Sequence, residues 1–207
     1  MRILKTVGLA TTVLVFASFG FAQDEGHFDA SIGYIGVFSK TSTASLSSVT
    51  LKPTISGGFL GTFRYRFNHV HGIEVNLGHT SNSQVFSVPP DTFRVKAAIT
   101  EFSGAYVLSP FHTERIEPFF FVGGGSLKFN PGNQYIDGFL SPFGATGQRA
   151  LAFLYGGGAD YRLRKAFALR VQYRGLIYKA PDFDVPSLYT GVNGHMAEPS
   201  AGIVFKF

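Results

Sequence analysis

The sequence predicts an all-β protein: an eight-stranded antiparallel up-and-down barrel that crosses a membrane with its strands, preceded by a cleavable leader. Three observations carry this. Apolar and polar residues alternate with a period of two over eight stretches, which sorts them onto the two faces of a strand and would scatter them around a helix. Long polar segments and short turns alternate strictly between those stretches, as an even-numbered barrel with both chain ends on one side requires. Charged residues make up only 15% of the chain, and Gly, at 25, is about twice its usual share. A wall facing hydrocarbon tolerates few charges, and a small, sharply curved sheet uses glycine to close.

Residues 1–22 have the form of a secretory signal peptide, with Arg2 and Lys5 at a positive start, an apolar run from Thr6 to Phe21, and small Gly20 and Ala22 where a peptidase cuts. Removing it leaves residues 23–207 as a single barrel domain and lowers the net charge from +5 to +3. That mild excess, without a basic run interleaved with aromatics, offers no footprint for nucleic acid. No other segment has the roughly 18 uninterrupted apolar residues of a membrane-spanning helix. Cysteine is absent, which excludes disulfides, thiolate metal sites and a cysteine nucleophile.

The first strand sets Phe28, Ala30, Ile32, Tyr34, Gly36 and Phe38 against Asp29, Ser31, Gly33, Ile35 and Val37. Lys40 to Pro53, rich in Ser, Thr and Lys, is a long loop. In the second strand Ile55, Gly57, Phe59, Gly61, Phe63, Tyr65 and Phe67 oppose Ser56, Gly58, Thr62, Arg64 and Arg66. Asn68 and His69 turn the chain into a third, where Ile73, Val75 and Leu77 oppose Gly72, Glu74, Asn76 and Gly78; Thr80 to Thr92 is the second long loop. The fourth strand, about Phe93 to Leu108, changes parity between Val95, Ala97, Ile99 and Phe102, Gly104, Tyr106, Leu108, so a bulge is expected near Thr100.

Ser109 to Glu117 is a short connection, and Pro118 opens the fifth strand, where its missing donor matters least. Phe119, Phe121, Gly123, Gly125, Leu127 and Phe129 share one face there, with Phe120 and Val122 leaving the assignment of faces open. Asn130 to Gln148 is the third long loop. The sixth strand (Leu151, Phe153, Tyr155, Gly157, Ala159, Tyr161, Leu163) turns at Arg164 and Lys165 into the seventh (Phe167, Leu169, Val171, Tyr173, Gly175, Ile177), whose other face carries Arg170, Gln172 and Arg174. Lys179 to Gly194 is the fourth long loop, and an eighth strand ends the chain.

That last strand places Ala201, Ile203, Phe205 and Phe207 on one face. With Ser200, Gly202, Phe205 and Phe207 at the spacing polar, x, Gly, x, x, aromatic, x, terminal aromatic, it resembles the carboxyl-terminal assembly signal of bacterial outer-membrane barrels. The resemblance implies the barrel-assembly machinery as a partner. The stretches Gly156 to Leu163, Ala168 to Arg174 and Gly202 to Phe207 likewise resemble the OmpA-like eight-stranded outer-membrane barrels. This likeness covers essentially the whole chain after the leader and implies the bacterial outer membrane, with long loops outside, short turns in the periplasm, and membrane lipid around the wall. Unlike the larger members, the protein is expected to carry no peptidoglycan-binding domain, and with no Trp its interfacial belts are expected to rely on Tyr and Phe.

The residues expected to face inward are Arg64, Arg66, Glu74, Glu101, Asp160, Arg162, Arg170, Arg174, Glu198 and Lys206. An eight-stranded barrel is only wide enough inside for side chains to fill, and buried charges persist when paired, so these residues should form a polar plug rather than an ion path. No cofactor or metal is expected: the glycine runs Gly123 to Gly125 and Gly156 to Gly158 lead into no helix, and the six histidines do not pair at ligand spacing.

His79, Thr80, Ser81 and Asn82 resemble the His-x-Ser-Asn signature of outer-membrane lipid A 3-O-deacylases, which would make Ser81 a nucleophile and His79 its base, with Asp91 the acid nearest to hand. The motif sits in the first half of this chain, whereas that family carries it toward the end. The leading expectation is therefore a non-enzymatic outer-membrane barrel with a structural or surface-contact role through its four loops. A lipid A deacylase, a narrow pore and a secreted soluble barrel of the lipocalin kind are its competitors. Phe139, Leu140, Phe143, Phe183, Leu188 and Tyr189 put apolar surface in those loops. Lys40 to Pro53 and Lys179 to Gly194 show little regular apolar patterning to bury and are expected to be dispensable for folding.

Overall fold

The computed structural model describes residues 27–44 and 49–207, so the expected leader lies outside the described residues. Eleven strands form one sheet: β1 (Phe28–Ser39), β2 (Ser42–Thr43), β3 (Thr50–Pro53), β4 (Ser56–Arg66), β5 (His71–Val88), β6 (Asp91–Leu108), β7 (Ile116–Ile136), β8 (Phe139–Leu140), β9 (Gln148–Arg164), β10 (Phe167–Lys179) and β11 (Asn193–Lys206). Eight of them, β1, β4, β5, β6, β7, β9, β10 and β11, pair antiparallel with their neighbours in that order, and β11 returns to β1 to close the barrel. The seam runs from Asp29 opposite Lys206 to Ser39 opposite Met196. Beyond its ladder, Phe28 N–H donates to Phe207 O at 3.1 Å and Phe207 N–H to Phe28 O at 3.0 Å, so the final residue is itself paired.

One end of the barrel holds both termini of the strand ladder and three short turns. At the first of these, the Asn68 side-chain oxygen accepts from the N–H groups of Val70 (2.9 Å) and His71 (2.8 Å), a local arrangement that suits Asn at a turn. Outward from the wall, β4, β5, β10 and β11 expose Phe59, Phe63, Ile73, Val75, Leu77, Leu169, Val171, Ile203 and Phe205. On β10 this outward apolar row runs from Phe167 to Ile177, as the roughly 9–11 residues of a tilted spanning strand require. Tyr155 lies across Gly175, where an added Cβ would fall 2.4 Å from its ring, and its hydroxyl meets His195 Nε2 at 2.8 Å.

The other end is more regular than the sequence suggests. The expected second loop, Thr80 to Thr92, is mostly strand: β5 continues to Val88 and β6 restarts at Asp91, opposite it. The expected third loop is strand as far as Ile136, where Asp137 (φ 49°) and Gly138 (φ 87°) turn the chain into β8. Within the first, β2 pairs with β3, and β3 runs along β5 where β4 has stopped.

No bulge lies near Thr100. Against β5, β6 keeps one unbroken register from Asp91 to Leu108, and its only register shift faces β7, between Val95 and Ala97. Phe102 and Tyr106 point outward, whereas Val95, Ala97 and Ile99 point inward and are buried. The parity change in the sequence records a change of environment along a straight strand: above the lipid-facing zone, water is outside and the apolar residues turn in.

These inward residues belong to an apolar core that fills the loop-end half of the barrel, together with Val37, Phe86, Leu127, Phe129, Leu154, Leu176, Tyr178 and Met196. On β7 the open question of faces resolves the same way, with Phe119, Phe121, Leu127 and Phe129 inside and Phe120 and Val122 outside.

The segment between β10 and β11 closes this core. Phe183 and Leu188 are fully buried, and the Phe183 ring stands edge-on to Phe86 (6.2 Å between centroids) and Phe129 (6.4 Å). Gln148 holds the segment down, its Oε1 accepting from the N–H groups of Asp182 (3.0 Å) and Phe183 (3.1 Å), with its Nε2 donating to Asp182 at 3.0 Å. The ground for expecting this loop to be dispensable, that it has little to bury, does not hold: it packs as a cap, though Phe139, Leu140 and Tyr189 remain exposed. Phe183→Ala should lower the stability of the refolded barrel by about 3–5 kcal/mol, as for other buried Phe truncations, whereas Tyr189→Ala should leave the urea midpoint nearly unchanged.

Candidate functional site

Below the apolar core the lumen is charged. Arg64 on β4 and Glu74 on β5 face each other across adjacent strands and pair at 2.9 Å. Arg170 grips Asp160 with two bonds, Nε to Oδ1 at 2.7 Å and Nη2 to Oδ2 at 2.8 Å, and reaches over to Asp29 at 3.1 Å. Arg66 bridges Asp29 and Glu117, both at 3.2 Å, and Glu117 also accepts from Lys206 and Arg162. Nearer the core, Arg174 sits between Glu101 and Glu198, with Nη1 3.1 Å from Glu198 Oε2. Strand alternation makes this possible, because every second residue of eight strands is delivered to one narrow interior.

The charges balance: six acids (Asp29, Glu74, Glu101, Glu117, Asp160, Glu198) meet six bases (Arg64, Arg66, Arg162, Arg170, Arg174, Lys206). Phe119 lies among them, with the guanidinium of Arg64 4.2 Å and that of Arg170 5.1 Å from its ring centre. Thr62, Asn76, Ser103 and Gln172 are also buried inside, Thr62 donating to Asn76 at 2.7 Å and Asn76 to Glu74 at 3.1 Å.

All ten inward candidates meet in this network, though the Arg162 side chain is 42% exposed at the turn-end mouth. Sequence reasoning left out Asp29 and Glu117. Asp29 has the inward parity of Ser31 and was legible by that signal; Glu117 was assigned to a connection, but lies inside β7 opposite Asp160. Among the described residues no cluster of three or more His, Asp or Glu could hold a metal ion.

His79 and Ser81 both lie on the outer face of β5, where the strand runs on for seven more residues past Ser81. His79 Nδ1 is 3.4 Å from Thr100 Oγ1 on β6, the position opposite it. Asp91 is at the hairpin tip, paired with Val88, roughly 23 Å along the strand from Ser81 at about 3.3 Å per residue. The four terminal candidates, Ser200, Gly202, Phe205 and Phe207, lie on or directly after β11; Phe205 is exposed outward with its ring 5.2 Å from that of Phe167.

Removing one member of a buried ion group leaves its partners charged and unsatisfied, at a cost of about 3–5 kcal/mol. Arg174→Met should therefore lower the urea midpoint of the refolded barrel strongly, and adding Glu101→Gln and Glu198→Gln should recover most of that loss.

The chain matches the family model of the outer-membrane protein β-barrel domain over residues 7–198. Among solved structures it is similar to OprG of Pseudomonas aeruginosa (13% identity, 89% of this chain and 97% of that one covered, TM-score 0.59) and to Neisserial surface protein A (14%, 89% and 100%, TM-score 0.57). It is also similar to Ail, the attachment invasion locus protein of Yersinia pestis, solved with the heparin analogue sucrose octasulfate (16%, 89% and 100%, TM-score 0.53). No curated protein matches it in sequence. The closed eight-stranded barrel, its outward apolar wall and the family match together make this chain a member of the outer-membrane β-barrel family, resident in the bacterial outer membrane.

Proposed function

We propose that the protein is a non-enzymatic, non-conducting outer-membrane barrel that acts through its extracellular surface. The observation that carries this is the filling of the lumen. Twelve paired charges occupy its periplasmic half, an apolar core its extracellular half, and Phe183 and Leu188 cover the top. A water-filled path needs a continuous polar bore, and the apolar half would have to be emptied to make one. In planar bilayers the purified protein should give no steady conductance; a large stable current would put the narrow pore ahead of this reading.

The geometry around His79 argues in the same direction. A serine hydroxyl needs a base within hydrogen-bond reach and a third group orienting that base, whereas His79 meets Thr100 and Asp91 is at the hairpin tip. Lipid A from cells making the protein should keep its 3-linked acyl chain, as read by mass spectrometry. Loss of that chain with the native protein, and its retention with Ser81→Ala, would establish the deacylase instead.

Delivery to the membrane is proposed to run through the barrel-assembly machinery reading β11. The support is its outward apolar face and its role as the closing strand. Deleting Phe205 to Phe207 should abolish the outer-membrane pool, measured by fractionation.

A further inference from the structure

Outside the lumen, charge is distributed in the opposite way. Past the lipid-facing zone, the outer faces of β3, β6, β7 and β9 carry Lys52, Arg94 with Lys96, Lys128 and Arg149, all exposed. None has an ion-pair partner among the described residues, although every arginine of the lumen has one. Acids do lie at the loop end, but each has another place: Asp91 is at a hairpin tip, the Asp137 carboxylate accepts from Thr92 N–H at 2.8 Å, Asp182 accepts from Gln148 at 3.0 Å and Asp184 from the Thr146 hydroxyl.

The register sets these cations side by side. His79, Thr100, Lys128 and Arg149 form one row across four adjacent strands, directly above the row of Leu77, Phe102, Ser126 and Leu151. Leu77, Phe102 and Leu151 are at least 60% exposed and mark the lipid edge. Higher up, Lys52, Val85, Arg94 and Tyr135 are aligned, and Lys96 lies 5.6 Å from the Tyr135 ring.

Like charges placed opposite each other on neighbouring strands repel, and Lys128 faces Arg149. Lysine is often set on edge strands to block aggregation, but β6 and β7 are paired on both sides here. The repulsion is relieved if anions lie between the side chains, and long basic side chains at a membrane boundary extend into its headgroup layer.

We propose that this face binds the phosphate groups of the outer-leaflet glycolipid, lipid A, with Lys128 and Arg149 at the hydrocarbon edge as its centre and Arg94 and Lys96 above them. Each guanidinium or ammonium donates to phosphate oxygens, and Thr100 between His79 and Lys128 supplies a neutral donor. The strands tilt, so the rows climb around the wall and hold anions at successive depths in the headgroup layer.

The test is native mass spectrometry of the refolded barrel in detergent, titrated with bisphosphorylated lipid A, with lipid A stripped of its phosphates, or with phosphatidylcholine. Bisphosphorylated lipid A should bind best, and stripped lipid A no better than phosphatidylcholine. Lys128→Gln and Arg149→Gln should each weaken that binding about fivefold, the factor one basic side chain contributes at an anionic surface. The double variant should lose the product of the two, and Arg164→Gln at the periplasmic rim should lose nothing. Heat-modifiable migration on gels verifies that each variant is folded. Equal binding of stripped lipid A, or undiminished binding by the folded double variant, overturns the proposal. Competition by millimolar inorganic phosphate would reassign the face to a free anion, and displacement of lipid A by a soluble sulfated polysaccharide that needs Lys128 and Arg149 would reassign it to another macromolecule.

Discussion

Every backbone N–H and C=O within the bilayer must find a partner in the protein, because hydrocarbon offers none. For this chain the condition is met only when β11 docks on β1, and the seam between them is where eight strands become a barrel. A sheet left open there would present two unpaired edges in lipid. The terminal Phe207 contributes directly, exchanging backbone hydrogen bonds with Phe28 while their rings stack at 6.2 Å. The side-chain arrangement inside and outside then follows from closure, since alternation sends successive residues to lumen and lipid.

Closure at eight strands also sets what the interior must contain. The bore is narrow enough to be filled by side chains, and this protein fills it by two different means. In the periplasmic half each buried charge is balanced by a neighbour, and Asp29, Glu117 and Arg66 each serve more than one partner, so their charges are shared through a network. In the other half the filling is mainly aliphatic and aromatic, with Thr80, Asn82 and Gln84 the polar side chains that β5 buries beside it and the cap segment supplying Phe183 from above. The first half is specific because ion pairs demand geometry; the second gains from excluding water. Outside the barrel at the loop end, by contrast, Lys52, Arg94, Lys96, Lys128 and Arg149 have no ion-pair partner among the described residues.

The inversion of faces along β5 and β6 ties these features together. Within the membrane zone Leu77 and Phe102 point out, and Glu101 and Ser103 point in. A few residues further on, Phe86, Val95 and Ile99 point in, and Arg94 and Lys96 point out. The same strands thus obey the rule of a membrane barrel at one end and of a water-soluble barrel at the other.

By itself the sequence determined the strand period, the number of membrane strands, their antiparallel order and the inward set from Arg64 to Glu198, because alternation and turn residues are local properties of the chain. Tertiary structure alone decided where the strands stop, which partner each charge takes, and that Phe183 and Leu188 are core rather than surface. Those outcomes depend on contacts between distant segments, as Gln148 with Asp182 and Arg170 with Asp29 illustrate. A polar run such as Thr80 to Asn82 also reads as loop until the neighbouring strand that pairs with it, and the water beyond the bilayer that accepts its outer face, are both in place.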